Sequence, residues 1–172
     1  MIIAIEGPCL AGKTTYAKKL AAELSVSCNV FHMDDFFLRP EQRTEERFNT
    51  PGGNVDYERF LSEVLIPLSK NKAFSYRKFD CKTMSLGEEV FIEPAEINIV
   101  EGTYSMRPEF RKYYDKCIYI NILPERQLER LKLRENDEKV QMFIKKWIPL
   151  EQAYFAYFTP EKYCDEIIFS ED

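Results

Sequence analysis

Eight consecutive residues, Gly7-Pro8-Cys9-Leu10-Ala11-Gly12-Lys13-Thr14, place two glycines, a lysine and a hydroxyl at the spacing G-x-x-x-x-G-K-[ST]. Glycines let backbone N–H groups curl around phosphate oxygens, and the helix that follows adds its positive dipole end. Lys13 is expected to reach β- and γ-phosphates as a surface charge, and the Thr14 hydroxyl to ligate Mg²⁺, with Thr15 completing the binding segment. The chemistry implied is nucleoside triphosphate binding. Moving a phosphoryl group would further need a group to orient the acceptor and a carboxylate to help hold the metal. Asp34-Asp35-Phe36-Phe37 and Glu101-Gly102 offer such carboxylates.

These residues need a frame to hold them together. Ile2 to Ile5, Asn29 to Met33, Ile97 to Val100, Cys117 to Ile122 and Glu166 to Phe169 are short apolar runs that read as buried strands. Helical spacing of apolar residues covers Lys13 to Leu24. Asp56 looks like the N-cap of a helix through Leu68. A polar loop spans Arg39 to Asn54. Phe74 to Phe79 and Glu89 to Ile92 alternate around Ser85-Leu86-Gly87 and predict a hairpin-like excursion near 74–92. A helix follows Pro124 to about Arg134, then a charged break over Glu135 to Glu138. Val140 to Phe158 reads as a long helix that Pro149 should kink or split.

Strands alternating with helices predict a single α/β domain over 1–172, a three-layer fold with a mostly parallel sheet of about five strands. Ligands of such sheets bind at the carboxyl ends of the strands, where the three polar segments above all fall.

Composition narrows the function. Hydrophobic residues make up 45% and charged residues 31%, and the net charge of −5 argues against a nucleic-acid partner. No apolar run reaches membrane-helix length, and no basic-then-apolar leader opens the sequence, so a cytoplasmic protein without membrane contact is expected. Five cysteines without a C-x-x-C pair suit reduced thiols rather than a disulfide framework or zinc site. His32, the single histidine, is expected to serve local packing or a hydrogen bond. The aromatic stretch Trp147 to Phe158 suits core or subunit contact, so a homo-oligomer remains open.

The phosphate loop, Asp34-Asp35-Phe36-Phe37 and Val100-Glu101-Gly102 together resemble the uridine kinase group of P-loop kinases for nucleosides and small metabolites. The resemblance runs on through Tyr76 to Asp80, Val100 to Tyr104, and the arginine-bearing helix Glu125 to Arg134. It implies ATP as co-substrate and Mg²⁺ as cofactor, with Asp34 taking the proton of the acceptor hydroxyl and Glu101 helping to hold the metal. It further implies Arg130 and Arg134 as a lid on the phosphates, Arg126 being less suited. Phe37, Tyr76, Arg77, Phe79 and Asp80 would stand on the acceptor side. The leading acceptor is a nucleoside such as uridine.

The chain departs from the family on the acceptor side, and the stretch after Arg134 is shorter than the usual lid and lacks its basic acceptor-binding residues. No acid aligns with the ribose-binding position in Asn49 to Asp56, and Phe79-Asp80-Cys81-Lys82-Thr83-Met84 lacks the base-binding histidine. Pantothenate, glycerate or a nucleoside monophosphate is therefore an alternative acceptor, the last needing arginines such as Arg39, Arg43 and Arg47. An ATP-binding switch without turnover is the alternative of another class.

Overall fold

The computed structural model describes residues 1–170. In chain order its strands are β1 (Ile2–Glu6), β2 (Cys28–His32), β3 (Phe74–Asp80), β4 (Ser85–Ile92), β5 (Ile97–Glu101), β6 (Lys116–Asn121) and β7 (Glu166–Phe169). Five of them form one parallel sheet in the order β2-β5-β1-β6-β7, and β3 and β4 pair separately as an antiparallel hairpin. The sheet is parallel because a helical crossover separates most successive strands, and it must then be covered on both faces.

Alternation along each strand does the covering. Ile3, Ile5, Ile99 and Ile118 point to one side, where Ala17 of helix α1 (Lys13–Glu23) packs. Ile2, Phe31 and Val100 point to the other, into an aromatic core with Phe36, Phe60, Tyr76, Phe110 and Tyr154. Phe60 meets Phe36 and Phe110 edge-on, at centroid distances of 5.0 and 5.2 Å. Phe60→Ala should cost about 3–5 kcal/mol of stability, because the rings around it cannot close the space.

Several sequence expectations for the helices and the hairpin are revised, and the expected polar loop contains a short helix, Glu45–Asn49. Asp56 does cap a helix: its side chain accepts from Arg59 N at 3.2 Å, and the helix covers residues 57–69. The last long helix covers 137–158 and begins inside the expected charged break, where Asn136 caps it through Lys139 N at 3.0 Å. Pro149 neither splits nor ends that helix. A π turn, Phe143–Trp147, precedes it, as Leu61–Leu65 precedes Pro67 in the helix over 57–69. The wider turn accommodates a proline that has no N–H and crowds the carbonyl four residues back. The hairpin is real, but its turn is Cys81 to Met84, and Ser85-Leu86-Gly87 belongs to β4. Met84 takes the left-handed backbone there, at φ 55°.

Candidate active site

β1 delivers the phosphate loop and α1 closes it. At Gly7, with φ 150°, a Cβ would overlap the carbonyl oxygen of Ile120 on β6, so the chain can leave the sheet there only as glycine. At Gly12 a Cβ would meet only ordinary contacts with Ser170 and Arg130, but its φ of 90° is the left-handed entry to α1. Lys13 is the first residue of α1 and, against expectation, is buried at 7% exposure. Its Nζ donates to Pro8 O at 2.6 Å and to Thr103 Oγ1 at 3.3 Å. The ammonium thus sits inside the curl of the loop, because burial without such partners would be prohibitive.

Thr14 Oγ1 donates to Glu101 Oε1 at 2.9 Å, which ties α1 to the end of β5. Glu101 also pairs with His32 Nδ1 at the end of β2, so the histidine does make the expected local hydrogen bond. That contact, the largest cause, raises the proton affinity of the imidazole. A hydroxyl and a carboxylate side by side form a hard-oxygen donor set that fits Mg²⁺, which typically takes one or two protein ligands plus phosphate oxygens. Among the described residues no group of three or more His, Cys, Asp or Glu could hold a metal by itself.

Asp34 lies in the 3₁₀ turn Met33–Phe36 after β2 and opens onto a cleft of about 780 Å³ shared with Lys13, Thr14, Thr15 and Glu101. Its carboxylate reaches cleft water, yet the cleft walls crowd it. That enclosure raises its proton affinity, with Lys13 opposing and Glu101 reinforcing. Asp35 points elsewhere: it pairs with Lys78 Nζ at 3.0 Å and accepts from Tyr76 OH at 3.4 Å.

The remaining expected residues divide. Phe37, Cys9, Leu10, Gly12, Arg130 and Arg134 line the same cleft. Arg130 Nη1 donates to Leu10 O at 3.0 Å, and Arg134 is held by Glu135 at 3.0 Å. Pro8 contributes its carbonyl, while Ala11 is buried under the loop. The β3 residues do not reach the cleft. Tyr76 is core, stacked on Phe36 at 5.4 Å, and Phe79 is buried beneath Arg43. Arg77 is exposed and offers its carbonyl to Arg59, and Asp80 is exposed at the hairpin turn, accepting from Lys82 N at 2.7 Å. Cys81 and Met84, one step further along, line the cleft in their place. Of the three arginines in the polar loop only Arg43 does so; Arg39 pairs with Glu41 and Arg47 with Glu58.

Sequence reasoning missed four polar residues. Thr103 donates to Gly7 O at 2.8 Å while accepting from Lys13, and so fixes both ends of the loop. Glu6 is fully buried and accepts from Gly7 N, Tyr104 N, Met106 N and Tyr154 OH, at 2.9 to 3.1 Å. Burial pushes its carboxyl up to about 7, against the pull of those donors. Glu151 accepts from the Cys9 N–H. The Cys9 thiol, beside it, is pushed up to about 12 by burial and by that carboxylate. Asn54 lines the cleft with a buried side-chain oxygen that has no hydrogen-bond partner. For Glu6 a signal existed, a lone acid ending an otherwise apolar strand, and for Glu151 another, the one acid in the aromatic stretch Trp147 to Phe158.

No family model and no curated protein sequence matches this chain. Solved structures do. The chain is similar to the possible uridine kinase from Bacillus stearothermophilus, with a TM-score of 0.74 at 22% identity, over 98% of this chain and 88% of that one. It is also similar to phosphoribulokinase from Rhodobacter spheroides, at TM-score 0.67 and 11% identity over 96% and 70% of the two chains. A third is D-glycerate 3-kinase from Cryptococcus neoformans, at 0.58 and 14% over 89% and 78%. What the chain shares with these is the fold, a P-loop α/β architecture, here with a five-stranded parallel sheet in the order β2-β5-β1-β6-β7.

Proposed function

We propose that this protein transfers the γ-phosphoryl group of ATP to a hydroxyl of a small acceptor, with Mg²⁺ as cofactor. The observation that carries the reading is convergence: Lys13, Thr14 and Glu101 meet Asp34 in one cleft at the carboxyl ends of β1, β2 and β5. A nucleotide-dependent switch needs the first three but has no use for Asp34. Thr14 and Glu101 would hold the metal, which when bound offsets charge on the β- and γ-phosphate oxygens. Lys13 would do the same from the loop side, and Arg130 and Arg134 from the lid. Asp34, with its proton affinity raised, is suited to orient the acceptor hydroxyl and take its proton. Acceleration then comes mostly from position and fixed charge.

For the acceptor, the reading favours a ring-bearing molecule such as a nucleoside. Phe37, Phe48 and Trp147 line the cleft, the last two facing each other at 6.4 Å. An anionic acceptor is the second reading, supported by Arg43, whose Nε is fixed by Leu38 O at 3.0 Å. Acceptor-dependent ADP release, measured over nucleosides, nucleoside monophosphates, pantothenate and glycerate, tests both. Tight ATP binding with no turnover on any of them would leave the switch reading standing instead.

A further inference from the structure

Backbone N–H groups in a phosphate-binding loop are arranged to meet anions. One of them, that of Cys9, donates instead to both carboxylate oxygens of Glu151, at 3.1 and 3.3 Å. Glu151 comes from outside the loop, on the helix over residues 137–158, and is 6% exposed at the cleft wall. The charges around it come from two other elements, Lys13 of α1 and Asp34 after β2, and the same helix is tied to Glu6 at the end of β1 through Tyr154. A carboxylate in this position gives the loop an internal anion. It also puts negative charge where a nucleotide's phosphates must arrive. Two anions cannot share one N–H, and at contact distance in a poorly screened site they repel strongly.

We propose that the phosphates of an incoming nucleoside triphosphate displace Glu151 from Cys9, and that this displacement couples nucleotide binding to the wall of the acceptor side. The coupling follows from where Glu151 is rooted. Its helix also carries Lys139, Met142, Phe143 and Trp147, all of which line the cleft. Moving Glu151 off the loop therefore moves the surface against which an acceptor would lie, so that acceptor binding is favoured after ATP. Glu151 acts here as a positioning residue. The proposal rests on the nucleotide-binding reading above and goes beyond it.

Two variants separate displacement from simple bracing of the loop. Glu151→Gln keeps an oxygen for the Cys9 N–H but removes the charge; Glu151→Ala removes both. Displacement predicts that both bind ATP about tenfold tighter than wild type by calorimetry, since a charge-assisted competing bond has been weakened or deleted. Bracing predicts the reverse, with the Gln variant like wild type and the Ala variant weaker. Unchanged or weakened ATP binding in Glu151→Gln overturns the proposal. Trp147, the single tryptophan, reports the wall. Its emission should shift when wild type is saturated with ATP, and no shift overturns the coupling. Lys13→Ala keeps the two readings apart: if it binds ATP as well as wild type, the nucleotide site itself is misplaced.

Discussion

The Thr14 hydroxyl and the Glu101 carboxylate stand 2.9 Å apart, so the first turn of α1 and the end of β5 meet through side chains that ordinarily serve a divalent cation. Glu101 is further steadied by His32. Glu101→Gln keeps the shape but removes the one negative charge of this donor pair. It should weaken Mg²⁺ dependence and slow turnover while nucleotide still binds. A Mg²⁺ titration that superimposes on wild type would remove Glu101 from the metal site.

Lys13→Ala should abolish phosphotransfer. Because Lys13 is buried and joins Pro8 to Thr103, it should also loosen the loop, at a cost of about 1–3 kcal/mol for hydrogen bonds from a charged donor. A thermal melt beside the activity assay reads both effects. Full turnover in the folded variant would contradict the assigned role.

Asp34→Asn should lower acceptor-dependent turnover by about 10²–10⁴-fold, the usual range for a lost general base. ATP affinity should change little. Asp35→Asn should leave turnover near wild type, since Asp35 faces Lys78 and Tyr76 rather than the cleft. Equal losses in the two variants would mean that both act through the fold.

Stability should fall as pH rises from about 4.5 to about 7, because Glu6 holds its proton in the folded state through a range where the unfolded chain has lost it. Its contribution is fully present below the unfolded value and lost by the folded one, on the order of 3 kcal/mol in all. Glu151, also raised by burial, adds the same sign. Glu6→Gln should flatten the profile between these pH values in denaturant titrations. An equally steep fall in that variant would assign the effect elsewhere.

The sheet and the phosphate loop were legible in the sequence because apolar runs and glycine spacing are local signals. Lys13, Thr14, Asp34 and Glu101 line one cleft at the strand ends, and so does Phe37, which the family resemblance had put there. What lay beyond the sequence was facing. Tyr76 and Phe79 fall on the core side of a hairpin whose register slips between Arg77 and Phe79, so the expected acceptor wall turned inward. Glu151 could not be placed because its position depends on a helix that continues through Pro149, where local rules predict a kink or a split.

The π turn at Phe143–Trp147 amounts to one extra residue spliced into a continuous coil. Each residue turns a helix by about 100°, so everything after the splice is rephased against everything before it. This offset lets Glu151 meet the phosphate loop and Tyr154 meet Glu6, while Val140 stays buried upstream on the same helix. Removing one residue from the turn, with every side chain of the site intact, would swing Glu151 away from Cys9. The reading frame of a single helix thus sets how the two ends of the cleft are aligned.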